Sequence, residues 1–196
     1  MAEDQLDLLN LQETKETPKL EKPPLLRVVY SISCSMPARV FFQMLEDNFV
    51  TLIMDTRRTR EYRGKGFYTS EDDFRYLCER HRIVYEVVED LAPTKDMRSV
   101  FANDFKFVKK AVDRDPAAWT NFLREYENLL RKQRPLRQGR VHDLLYGDHP
   151  AIAVVCACQH HEDCHRMLAT AMMASTRIKT GMKSFLLMRE ETNVCR

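Results

Sequence analysis

Short apolar runs alternate with stretches of helical periodicity along most of the chain. Strands are predicted at residues 25–34, 49–55, 83–88, 151–155 and 183–188, where β-branched and large apolar residues cluster. Apolar residues recur at helical spacing after Pro37, after Ser70 and again from about residue 94 to 134. Strands that alternate with helices favour a mainly parallel sheet covered on both faces. We therefore expect an α/β fold, a single Rossmann-like three-layer domain.

The pattern divides the chain into a tail and one domain. Residues 1–24 are polar and charged, contain three prolines and lack aromatic residues, so they are predicted to be a disordered tail. Residues 25–196 form the α/β domain, with residues 94–134 as a helical insertion. The tail is either a frayed end or a docking segment for a protein partner, through an apolar turn formed by Leu6, Leu8, Leu9 and Leu11.

Composition narrows the class of protein. No apolar run approaches the roughly 18 residues that span a bilayer, and the N-terminus lacks a basic-then-apolar signal pattern. We therefore expect an intracellular protein, cytoplasmic or nuclear, with no membrane contact. Six cysteines accompanied by histidines favour thiol chemistry or metal binding in a reducing compartment over a disulfide framework. The net charge of +2 gives no argument for nucleic-acid binding.

Residues 151–173 hold the densest group of reactive side chains. A buried strand is followed at once by a segment of helical spacing, and between them lie Cys156, Cys158, His160, His161, Cys164, His165 and Arg166. The connecting loop is expected at the carboxyl edge of the sheet, where open α/β folds bind their ligands. Asp163 is placed to cap the helix, whose N-terminus attracts anions and lowers a cysteine pKa.

The first functional interpretation is an anion pocket with a reactive thiol. Its catalytic candidates are the thiols of Cys164 and Cys156, His165 as acid or base, and Asp55 as an orienting or ribose-binding carboxylate. Its anion-binding candidates are Arg57, Arg58 and Arg166, since guanidinium groups bind phosphate and carboxylate. Basic clusters at 57–65 and 131–140 suggest a phosphate-bearing nucleotide or nucleic acid as the ligand.

Other interpretations remain open. A zinc site would use Cys156, Cys158, Cys164 and His165, the right ligand types in a spacing unlike that of standard zinc knuckles. Alternatively, the fold persists as a non-catalytic binding or scaffold protein with a decayed pocket. In the plainest case Cys156 is a buried small hydrophobe and Asp55 simply pairs with Arg57.

Several motifs match a known pattern. They are Tyr30-Ser-Ile-Ser-Cys-Ser35, Ile53-Met-Asp-Thr-Arg57, Phe67-Tyr-Thr-Ser70, Tyr85 with Leu91, and Cys156-Ala-Cys followed by Cys164-His-Arg166. Over roughly residues 26–178 the chain resembles the proteins grouped as domain of unknown function 488. The resemblance implies a compact Rossmann-like domain and supplies no established reaction. Three positions depart from it: Ser33 replaces glycine, Cys34 histidine or tyrosine, and Cys158 glutamate. The departures favour lost chemistry, and the last also counts against an essential zinc cage.

Overall fold

The computed structural model describes residues 28–61, 67–97, 116–158, 161, 164–176 and 183–186. Its strands are β1 (Val28–Ser33), β2 (Leu52–Asp55), β3 (Val84–Val87), β4 (Ala151–Cys156) and β5 (Lys183–Leu186). Its helices are α1 (Ala38–Asp47), α2 (Glu71–Arg80), α3 (Pro116–Gln133), α4 (Gly139–Tyr146) and α5 (His165–Thr176). The alternation of strands and helices confirms the α/β class.

The five strands form one parallel sheet in the order β3-β2-β4-β1-β5. β4 lies at the centre and is buried at all six positions, which explains its continuous apolar sequence. Its last residue, Cys156, is level with Ser33 of β1, and Val155 is level with Asp55 of β2. The carboxyl ends of three neighbouring strands therefore meet at one edge.

Two apolar cores cover the two faces of the sheet. On one face α1 and α2 contribute an aromatic group that includes Phe41, Phe42 and Phe74. On the other face α3, α4 and α5 pack residues such as Tyr126 and Met173 against β2 and β4. The connections that leave β1 and β4 thus pass to opposite faces. The carboxyl ends of these adjacent strands form the switch point at which α/β sheets open a crevice.

The structure corrects several sequence-based bounds. The second strand begins at Leu52 rather than residue 49, because Phe49 adopts a left-handed backbone (φ 54°) and is 80% exposed. Helix α4 begins at Gly139, at the end of the basic cluster 131–140, where the sequence predicts no helix. The helix predicted after Ser70 is α2, and Ser70 caps it by accepting a hydrogen bond from the backbone N–H of Asp73.

Other expectations fall partly or wholly outside the described residues. These include the N-terminal tail, most of the first half of the 94–134 insertion, and His160 and Asp163 beside the cysteine cluster. The second half of the insertion is α3. None of the described helices is long and apolar enough to cross a membrane.

Candidate functional site

The cysteine-rich loop lies at the carboxyl edge of the sheet, at the switch point between β1 and β4. Cys156 is the last residue of β4, and Cys164 immediately precedes α5, whose first residue is His165. The two ends of the strand-to-helix connection, Cys156 and Cys164, carry their side chains into the same space. Thr56, the residue after β2, borders this space from the neighbouring strand.

Three buried side chains form a compact ligand set. The Sγ atoms of Cys156 and Cys164 and a ring nitrogen of His165 all lie within 4.8 Å of one another. The distance from Cys164 Sγ to His165 Nδ1 is 3.7 Å. The three residues are 7%, 1% and 8% exposed, respectively. Soft sulfur and imidazole donors that converge in a dry space are the ligands that zinc prefers.

Cys158 adds a third sulfur to the cluster. Its Sγ lies 3.7 Å from that of Cys156. Zinc–sulfur bonds of about 2.3 Å in a tetrahedron place neighbouring sulfurs about 3.8 Å apart, so this spacing matches one edge of such a site. Unlike Cys156 and Cys164, Cys158 is partly exposed and lies beyond the end of the strand. It lies next to Cys156 on the solvent side, outside the group whose three ligand atoms all lie within 4.8 Å of one another.

The three thiols do not share the same tendency to ionise. Hydrogen bonds from Cys158 and Cys164 hold the pKa of the Cys156 thiol well below its usual value. Burial, followed by the hydrogen bonds with the other two sulfurs, holds the pKa of Cys164 well above it. The hydrogen bond with Cys156 raises the pKa of Cys158 to about 12. Of the three thiols, Cys156 is therefore the one whose surroundings most favour the thiolate.

His165 is oriented by a threonine that the sequence analysis did not single out. The Thr56 hydroxyl donates to the carbonyl of Val155 at 2.8 Å, and its oxygen lies 3.1 Å from His165 Nε2. Because the hydroxyl proton is already used, this oxygen accepts from Nε2–H. In the neutral ring Nδ1 then carries a lone pair, and Nδ1 is the atom that faces Cys164. This is the tautomer that a metal-binding histidine needs.

Arg166 is buried beside the cluster and is 1% exposed. Its Nη1 donates to the carbonyl of Cys158 at 2.9 Å, and its Nε donates to the hydroxyl of Ser31 at 3.1 Å. The same hydroxyl lies 2.9 Å from Nδ1 of His161. Within the described part of the chain, no carboxylate forms an ion pair with Arg166. A buried guanidinium is costly unless a negative charge lies nearby, and the cysteine cluster is adjacent to it.

Asp55 and Arg57 form a separate buried pair. The guanidinium donates to both carboxylate oxygens of Asp55, with the shortest contact at 2.6 Å, and to the carbonyl of Thr69. Tyr85 donates to the same carboxylate at 2.6 Å, and the guanidinium lies over the ring of Phe74. All three nitrogens of the guanidinium thus donate to protein oxygens. The geometry matches the plain ion pair considered from sequence, and the catalytic role of Asp55 and the anion-binding role of Arg57 stay predictions.

The remaining candidates are dispersed. Arg58 is exposed, and Nδ1 of His161 lies 2.9 Å from the hydroxyl of Ser31. Cys34, at the end of β1, is buried, and burial raises its pKa to about 12. The positive charges of both Arg57 and Arg166 act on this thiol and partly offset the effect of burial. Thr56 was missed although it follows the buried strand β2 directly, a position that predicts inward or edge-facing polar groups.

Comparison with known proteins gives one match. The family model described as domain of unknown function DUF488 matches residues 37–173, more than half of the chain. This range includes α1, the whole cysteine cluster and most of α5. No curated protein and no solved structure gives a significant match.

Proposed function

The chain belongs to the family described as domain of unknown function DUF488, and we propose that this member binds a zinc ion. The proposed ligands are Cys156, Cys158, Cys164 and His165. The observation that carries the proposal is the convergence of the buried donors of Cys156, Cys164 and His165 within 4.8 Å, with the Sγ of Cys158 3.7 Å from that of Cys156. Three cysteines and one histidine are a common zinc ligand set. The unusual spacing that counted against zinc in the sequence is offset by the strand-to-helix turn, which brings both ends of the loop together.

Two features around the ligands support the proposal. The hydrogen bond to Thr56 leaves His165 with its lone pair directed at the cluster. A zinc ion with three thiolates carries one net negative charge, and Arg166 supplies one buried positive charge beside it. The pairing neutralises both groups in a region from which water is largely excluded, where an isolated charge would be costly.

The test is metal content. Purified wild-type protein is expected to contain about one zinc per chain, and Cys156→Ser and Cys164→Ser are expected to contain almost none. Cys78→Ala is the matched control, because Cys78 is fully buried but lies in the other core. Cobalt added to metal-free protein should give the absorption bands of tetrahedral thiolate coordination. A wild-type chain that takes up neither zinc nor cobalt refutes the proposal.

A second candidate function uses the same residues without metal. A nucleophilic thiol beside an anionic substrate requires a lowered pKa and a nearby cation. The hydrogen bond with Cys158 is the main cause of the lowered pKa of Cys156, and Arg166 is the neighbouring cation. This is the anion pocket expected from the sequence, with a phosphate-bearing ligand. In metal-free protein, iodoacetamide should then label Cys156 well below pH 8, and inorganic phosphate should slow the labelling. Phosphate has no such effect if the cluster serves only to bind metal.

Fewer observations support a nucleotide or nucleic acid as the ligand than support a reactive thiol. It depended on Arg57, Arg58 and Arg166 acting together on phosphate, and Arg57 has its guanidinium engaged by Asp55. Arg58 is exposed and can still contact a polyanion. Salt-dependent retention of the protein on single-stranded nucleic acid, weakened by Arg58→Glu, remains the direct test.

A further inference from the structure

A groove of about 250 Å³ lies where the end of α3, the following turn and the end of α5 meet. Its lining combines apolar residues with cations: Leu130, Leu136, Met172, Arg131, Arg134 and Arg137. Leu130 and Leu136 are almost fully buried and belong to the core under α3 and α5. The groove therefore has an apolar floor and a cationic rim, which favours a ligand that carries both apolar and acidic groups.

The cations around this groove are only partly neutralised. Residues 128–142 contain five basic residues and no acidic residue. Two of them, Arg131 and Arg140, pair with glutamates. The other three, Lys132, Arg134 and Arg137, form no ion pair with any residue that the structure describes. Arg134 also adopts a left-handed backbone (φ 55°), which turns the chain sharply at the rim of the groove.

The N-terminal tail contains a segment with the complementary pattern. Residues 3–11 carry three carboxylates, four leucines and no basic residue, in the order Glu3, Asp4, Leu6, Asp7, Leu8, Leu9 and Leu11. These leucines can pack against the leucines and methionine that form the floor of the groove, and the carboxylates can pair with the arginines at its rim. No other stretch of nine residues in the tail combines this many acids with this many leucines.

We infer that residues 3–11 of the chain's own N-terminal tail dock in this groove between α3 and α5. The distance between the start of the domain and the groove is short enough to favour this occupant. The tail joins the domain at Val28, which is level with Lys183 at the start of β5. Because β4 and β5 are parallel, α5 runs from the carboxyl edge of the sheet back to the amino edge. Met172 and Ser175, near the end of α5, line one end of the groove, so this end lies near the edge where β1 begins.

The linker is also long enough. Residues 12–27 separate the acidic segment from β1, and a flexible chain of that length has a root-mean-square span of about 20 Å. This distance is comparable to the length of α5, at about 1.5 Å per residue. A segment tethered at such a span meets the groove at a high effective concentration, so a modest intrinsic affinity is sufficient. The docking is independent of the metal centre, which lies at the opposite end of α5.

A photo-cross-linking amino acid placed at Leu8 of the full-length chain tests the inference. Irradiation followed by mass spectrometry is expected to give intramolecular cross-links to residues 130–137 or 172–175. Arg134→Glu with Arg137→Glu should reduce these cross-links about tenfold, as should high salt, because the attraction is electrostatic at an exposed rim. Adding Asp4→Lys and Asp7→Lys to that variant should restore them. The restoration keeps the test valid even if the arginine variant is less stable.

The control variant is Arg39→Glu with Arg82→Glu, two exposed arginines on the other side of the molecule. It should leave the cross-links unchanged. Cross-links that spread over the whole surface, or that survive reversal of Arg134 and Arg137, overturn the inference. Cross-linked dimers would overturn it as well, because they would identify a second copy of the chain as the occupant.

Discussion

The Nε2 atom of His165 lies 3.1 Å from Oγ1 of Thr56, so the first residue of α5 is tied to the residue that follows β2. The Thr56 hydroxyl is in turn tied to the carbonyl of Val155 in β4. This chain of two hydrogen bonds fixes both the tautomer and the orientation of the ring. A histidine held in this way is prepared to bind a metal through Nδ1 before any metal arrives.

Replacing Thr56 by valine should therefore weaken metal binding without unfolding the protein. Valine keeps the shape of the side chain but removes the acceptor of the His165 proton, so the zinc affinity should fall about 10- to 100-fold. A competitive titration with a chromogenic chelator measures the change. Thr56→Ser, which keeps the hydroxyl, should stay close to wild type. Equal loss in both variants would assign the effect to packing rather than to the hydrogen bond.

The pair formed by Asp55 and Arg57 is predicted to act on stability. Asp55→Ala leaves the Arg57 guanidinium buried without its carboxylate and should cost about 3–5 kcal/mol of unfolding free energy. Denaturant unfolding of metal-free protein measures this cost. Glu127→Ala breaks an exposed pair with Arg131 and should change stability by about 0.5 kcal/mol or less. A stable Asp55→Ala protein that loses ligand binding would instead support the catalytic role expected from the sequence.

Cys78 should make the protein less stable in alkaline solution. Burial raises its pKa to about 12 in the folded state, from about 8.5 in an unfolded chain. Between these values the folded state holds a proton that the unfolded state has lost, so stability falls as pH rises from about 8.5 to 12. One such group contributes a slope of at most about 1.4 kcal/mol per pH unit.

Cys78→Ala should make that slope shallower, because the variant has no thiol to ionise at this position. Unfolding free energies measured between pH 8 and 10.5 provide the comparison. Cys34→Ala is the matched variant, because burial also raises the pKa of Cys34 to about 12. Cys158 is unsuitable for this comparison because it is partly exposed and belongs to the proposed zinc site. Identical slopes in wild type and Cys78→Ala would contradict the assignment.

The fold and the location of the site follow from local sequence patterns. The apolar run at 151–155 and the helical spacing after residue 165 place the cysteines at a strand-to-helix turn, and the structure confirms both elements. What the sequence does not supply is the distance across the turn. The loop spacing of Cys156, Cys158 and Cys164 looks wrong for zinc along the chain, yet the fold brings the outer two sulfurs together.

The hydrogen-bond partners of Asp55 and His165 could not be predicted from the sequence either. Asp55 and Arg57 are two residues apart, and the sequence indicates that they can pair. The hydrogen bond that Tyr85 donates to Asp55 comes from a neighbouring strand, and the sequence does not predict it. Thr56 reaches His165 across 109 positions of the chain. Such contacts are set by strand order, with β4 inserted between β1 and β2, and periodicity alone does not specify strand order.

The three cysteines of the cluster should not be equivalent. Cys156 and Cys164 are buried and belong, with His165, to the compact set, whereas Cys158 is partly exposed and follows the strand. Water can replace a ligand at the exposed position more easily than at the buried ones. Cys158→Ala should therefore still bind one zinc per chain, with a loss of affinity at least about tenfold smaller than that of Cys164→Ala.

Chelator competition on both variants measures the two affinities, and cobalt substitution reports the coordination that remains. In Cys158→Ala the cobalt spectrum should keep thiolate charge-transfer bands of reduced intensity, because two sulfurs still bind the ion. In Cys164→Ala the bands should be weak or absent, since the buried space left by the lost sulfur admits no replacement ligand. If Cys158→Ala abolishes metal binding as fully as Cys164→Ala does, the four ligands form one indivisible cage and the distinction by burial is wrong.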